Sequence, residues 1–135
     1  MPKYKCYSIC IILLFSSKMF GQKKTLQTRF TNEKITIDGE FDEKAWKSAE
    51  IATDFVMYAP NNGVPIPAEK KTEVKVVYTN EAIYIAAKLN DDQPSKISKE
   101  LTERDNFATA DHFGIQLNGY NDGQQEFRFF VSAAG

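Results

Sequence analysis

From residue 25 onward no long stretch keeps a helical repeat of apolar positions, whereas several short segments alternate with period two, the pattern of a strand with one buried face. In residues 72–78, Val74, Val76 and Tyr78 share one face and Glu73 and Lys75 the other, with Val77 as the misfit. Residues 83–89 repeat the pattern, with Ile83, Ile85, Ala87 and Leu89 opposed to Tyr84 and Lys88. The connection 79–82 is short enough for a hairpin. A second pair follows: Phe113, Ile115 and Leu117 against His112 and Gln116, then Phe127, Phe129 and Val131 against Glu126, Arg128 and Phe130. Between them lie Asn121, Asp122 and Gly123, and Asp-Gly supplies the positive φ of a tight hairpin. Leu26, Thr28 and Phe30, then Ile35 and Ile37, and then residues 52–58 predict further short strands.

Two segments invite a helix: 42–49, with Phe41, Ala45 and Trp46 on one side, and 94–103, with Ile97 and Leu101 four apart. Residues 59–70 contain Pro60, Gly63, Pro65 and Pro67 and predict a surface loop, because proline supports neither ladder nor helix. Short strands separated by turn signals predict an all-β fold, an antiparallel β-sandwich with one face of each sheet in a common core. The last strand runs directly into Ala133, Ala134 and Gly135, leaving a hydrophobic edge without the usual protection. We therefore expect a sandwich that is incomplete at its C-terminal end, and a downstream domain in a longer parent protein.

The N-terminal segment changes the picture of where the protein works. Lys3 and Lys5 precede an apolar stretch from Ile9 to Phe15, and small and polar residues lead to Gly21 and Gln22, the layout of a secretory signal peptide. That stretch is far shorter than the ~20 residues a membrane-crossing helix needs. We expect residues 1–21 to be a cleaved leader and 22–135 to be the mature domain, exported to a periplasmic, outer-membrane-associated or extracellular location. Both cysteines, Cys6 and Cys10, lie in the leader, so the mature chain has neither a disulfide nor a thiol nucleophile or thiolate metal site. With 42% apolar and 26% charged residues the chain is an ordinary foldable one. Its formal net charge of −1, made more acidic by loss of Lys3, Lys5 and Lys18, provides no basic excess for nucleic acid.

The run Ile37-Asp38-Gly39-Glu40-Phe41-Asp42-Glu43-Lys44-Ala45-Trp46 resembles the opening motif of the family 9 carbohydrate-binding modules. Further similarities follow in order: Thr72-Glu73-Val74, Tyr78, Ile83-Tyr84-Ile85, Asp91, Arg104-Asp105, Asp111, Phe113 and the segment from Phe127 to Gly135. The resemblance covers residues 34–135 and is greatest to the branch found at the N-terminus of exported, outer-membrane-associated bacterial proteins. It implies a jelly-roll-like β-sandwich, structural calcium, and non-catalytic binding of a polysaccharide or oligosaccharide in xylan or cellulose breakdown by O-glycosyl hydrolases. Sugar-binding members clasp a terminal sugar between two tryptophans. This sequence has one tryptophan, so an aromatic site must be built from Tyr58, Tyr84 or Phe130 or be missing. The alternative implied by the same resemblance is a docking domain that kept the sandwich and lost the sugar.

Read as chemistry, Asp38-Gly39 is a turn and Asp42 is placed to cap the helix that follows. Trp46 lies beside Ala45 and Ala49 on an apolar helical face, which favours core packing over stacking on a ligand. Arg104, Asp105 and Asp111 offer either charge-assisted hydrogen bonds to sugar hydroxyls or an ion-pair network. Asp91 and Asp92, with Asp105, Asp111 and Asp122, are either hard oxygen ligands for calcium or solvated loop acids. A glycosidase needs two carboxylates about 5–10 Å apart, and the sequence selects no such pair. His112 has no serine motif of hydrolase type beside it, and no phosphate-binding loop, dinucleotide fingerprint or zinc spacing occurs. We expect no catalysis by this chain itself.

Overall fold

The computed structural model describes residues 24–101, 103, 106 and 109–135; the expected leader, Arg104 and Asp105 lie outside them. The elements in chain order are β1 (Arg29–Phe30), α1 (Lys44–Ser48), β2 (Ile51–Ala52), β3 (Thr72–Tyr78), β4 (Ile83–Leu89), β5 (His112–Leu117) and β6 (Phe127–Ser132). Short 3-10 turns occupy Ala68–Lys70 and Pro94–Lys96. Strand therefore dominates, as the alternation predicts. Of the two expected helices, the first is five residues long, and the second is reduced among the described residues to the turn at Pro94–Lys96. The chain forms two compact units, one made of the residues up to Ala52 with Val74–Ala86, the other of Thr53–Glu73 with Ala87–Gly135.

In the first unit β3 is the organising strand. β2 runs antiparallel to it, with Ile51 opposite Lys75 and Ala52 opposite Val74. β4 also pairs with β3, and the turn between them is closed by the Thr79 N–H donating to the Ala82 carbonyl at 2.9 Å. The Thr79 hydroxyl accepts from the N–H groups of Glu81 (3.2 Å) and Ala82 (3.1 Å), a side-chain turn that fixes the connection. β1 corrects the purely antiparallel expectation: it lies parallel to β3, with Arg29 opposite Val77 and Phe30 opposite Tyr78. A parallel partner must arrive from a distant part of the chain, and alternation in Leu26, Thr28 and Phe30 carries no information on direction.

The core of this unit is Ile35, Ala45, Trp46, Ala49, Val77 and Ala86, with Tyr84 packed against it. It reverses the expected faces of β3 and β4. Val77, the misfit of the alternation, is 1% exposed, and Ala86 and Tyr84 lie with it on the side facing α1. Ile83, assigned inward, is exposed. Lys75 made the Val77 side look polar. Its ammonium instead donates to the Trp46 carbonyl at 2.7 Å, satisfying a C-terminal helix acceptor from a half-buried side chain. Val74, on the opposite face, is buried as well, so this sheet is apolar on both sides.

The second unit is built on the β5–β6 pair, in antiparallel register from His112 opposite Ser132 to Leu117 opposite Phe127. Residues directly opposite share a face, so Phe113, Ile115 and Leu117 line up with Val131, Phe129 and Phe127. Of these, the three β6 side chains are exposed. On the other face the Phe130 ring lies across Gly114, where an added Cβ would collide with it, and meets His112 edge-on at 5.6 Å. The connection is not the tight turn expected. Residues 118–126 intervene, with Asn121 (φ 52°) and Gly123 (φ 68°) both left-handed and Asp122 Oδ1 accepting from the N–H groups of Gln124 and Gln125. An aspartate that bonds two following amides builds a wider loop in place of a two-residue turn.

Candidate functional site

The motif at residues 37–46 is structural. Asp38 Oδ1 accepts the Glu40 N–H at 2.9 Å, and Gly39 takes φ 87°, which an L side chain would strain. Asp42 makes no cap, contrary to expectation. The first amides of α1 are bound instead by Glu33, whose Oε2 accepts from Ala45 at 2.8 Å and Oε1 from Lys44 at 3.4 Å. Glu43 Oε1 accepts the Thr36 N–H at 2.7 Å, and its Oε2 is buried without a partner. Trp46 is 3% exposed and meets Phe41 edge-on at 6.2 Å, so its indole offers no face to a sugar.

The other expected residues divide clearly. Tyr84 is half-buried against the Trp46 core. Phe130 is turned onto Gly114 and His112. Asp111 is a staple: Oδ2 accepts the Ser98 N–H at 3.0 Å, its own N–H donates to the Ser98 carbonyl at 3.1 Å, and its carbonyl accepts from Ala133 at 2.8 Å. Asp91 Oδ1 accepts the Gln93 N–H at 2.6 Å, and Asp92 lies 3.7 Å from the Lys70 ammonium. No group of three or more histidine, cysteine or acidic side chains placed to hold a metal occurs among the described residues. The Gln124 amide first, and then the Gln125 amide, hold the Asp122 carboxyl below the usual carboxylate range.

Tyr58 is different. Its side chain is 87% exposed, on a loop fixed by backbone hydrogen bonds. Val56 bridges Pro65, the Met57 N–H donates to the Val64 carbonyl at 2.8 Å, and the Gly63 N–H closes back onto the Met57 carbonyl at 2.9 Å. Gly63 takes φ 81° there, and the Ala59–Pro60 peptide bond is cis. Asn61 and Asn62 are exposed on the same closed loop, and no hydrogen bond engages their side-chain amides among the described residues. An exposed aromatic can stack on a C–H surface, and unengaged amides on the same loop can donate to and accept from hydroxyls. The sequence singles out Tyr58 as a candidate aromatic and does not single out Asn61 or Asn62. The available signal was that residues 55–68 carry no acidic or basic side chain.

No helix among the described residues is long and apolar enough to cross a membrane. Comparison with protein-family models, with characterised proteins and with solved structures finds no match to this chain.

Proposed function

We propose that the chain is an exported, non-catalytic carbohydrate-binding domain of the family 9 module type, acting with O-glycosyl hydrolases in the breakdown of a xylan- or cellulose-like polysaccharide. The observation that carries this reading is the Tyr58 ring, 87% exposed on a hydrogen-bonded loop. An exposed tyrosine offers an apolar ring for C–H stacking and a polar tip for a hydroxyl, the two contacts a sugar makes. A jelly-roll-like sandwich is part of the same proposal, supported by strand-rich sequence and an apolar face on each sheet. Affinity electrophoresis of the folded protein in gels containing xylan or soluble cellulose tests it. Retardation is expected, and unchanged mobility in every gel refutes it. Release of reducing sugar by the pure chain would refute the non-catalytic part.

One observation favours a second reading, a docking domain of an outer-membrane-associated protein. Phe127, Phe129 and Val131 present consecutive exposed apolar side chains on one face of β6, the kind of patch that marks an interaction surface.

A further inference from the structure

We propose that residues 55–68 form an open, uncharged platform that takes an internal stretch of a neutral glycan chain, stacked on Tyr58 and hydrogen-bonded by Asn61 and Asn62. The inference rests on the carbohydrate-binding reading and adds the loop that engages the ligand and the mode of engagement.

Three observations carry it. The first is charge: the chain is 26% charged, yet no acidic or basic side chain occurs from Phe55 to Ala68, and the flanking ionisable residues are Asp54 and Glu69. A uronate or sulfated glycan would meet no cation on this loop, and the lysines that follow Glu69 are paired, Lys70 with Asp92 and Lys71 with Glu73. The second is exposure. Phe55, Val56, Tyr58 and Val64 all reach solvent, and Asn61 and Asn62, exposed on the same loop, have unengaged amides, so the loop offers both C–H contacts and neutral hydrogen-bonding groups. The third is openness. Tyr58 is 87% exposed, whereas Phe55, the other ring of the stretch, is 38% exposed, so a single ring projects into solvent and no second ring encloses it. A chain end can be gripped from two sides by a clasp, whereas a single face accepts a sugar wherever it lies in the chain. Tyr58 and Asn61 are separated by at most about 11 Å of extended backbone, within the reach of adjacent sugar units.

The test is calorimetric titration of the full secreted chain with xylohexaose and cellohexaose, the same sugars after borohydride reduction of their ends, and hexagalacturonate. Neutral hexaoses should bind, reduced and unreduced alike, with affinity changing less than twofold between 50 and 500 mM sodium chloride. Tyr58→Ala should weaken binding at least tenfold with an unchanged melting temperature, Tyr58→Trp should retain it, and the Asn61→Ala/Asn62→Ala double variant should weaken it several-fold. Binding of neutral hexaoses that survives Tyr58→Ala, or that is lost on reduction, overturns this site while leaving the carbohydrate-binding reading standing. Binding only of hexagalacturonate, with strong salt dependence, overturns the neutral ligand class. Absence of any sugar binding overturns both. Tyr58-dependent binding to phosphatidylcholine vesicles without sugar binding assigns the loop to a lipid surface and also overturns the proposal.

Discussion

The Glu33 carboxylate holds the Lys44 and Ala45 amides at the start of α1, so its removal leaves two backbone donors without their acceptor. Glu33→Ala should destabilise the protein by about 1 kcal/mol in urea titration, and Glu33→Gln, which keeps an acceptor, by less. Trp46→Ala should cost roughly 3–5 kcal/mol in the same measurement, because the indole is buried among Ile35, Ala49 and Val77. Asp122 sets a pH dependence of known sign. Its folded-state pKa is depressed, so its contribution is fully present above the unfolded value of about 3.9 and is lost as pH falls through the lower folded value. The Gln124 amide resonance should titrate with a midpoint below about 3.9, and Asp122→Asn should abolish that step. At this scale the burial of Trp46 was legible from Ala45 and Ala49 beside it. Glu33 was not, since a cap supplied from 11 or 12 residues upstream has no local signature and Asp42 stood in the customary place.

The strands of the two hairpins are legible from alternation, and their facing is legible only in part. Each of β3 and β4 has apolar residues on both sides, so counting apolar positions cannot say which side meets α1. Lys75 tipped the count the wrong way: it sits half-buried on the core side because its tip bonds the Trp46 carbonyl. Paired substitutions measure the true facing. Val77→Ala should cost about 2 kcal/mol, and Val76→Ala, at a half-buried position, less than half as much, both read from urea midpoints at constant slope. The reverse order would restore the alternation-based assignment. In β5 and β6 the alternating positions Phe113, Ile115 and Leu117 do share a face with Val131, Phe129 and Phe127, and Phe130 is the apolar residue left on the other face, against Gly114 and His112.

At the level of the whole molecule, an all-β architecture could be read from the chain, while the parallel placement of β1 could not, because it joins residues 29–30 to residues 77–78 with no pattern to announce it. The exposed apolar face of β6 has a practical outcome. Phe129→Lys should change stability by less than about 1 kcal/mol yet raise the concentration at which the protein stays monodisperse in light scattering, as charges do on unprotected strands. The Tyr58 loop was legible as a loop from its prolines and glycine, but its closure by the Met57–Gly63 bond required the fold. The order of assembly follows from α1. Five residues are far below the ~12–15 that hold a helix in water, and both its cap and its apolar bed come from elsewhere in the chain. The segment therefore has no reason to coil early. It needs Val77 and Ala86 of the β3–β4 hairpin as its bed and Glu33 at its amides, so α1 should take shape late, with φ-values near zero for Ala45→Gly and Ala49→Gly in refolding kinetics.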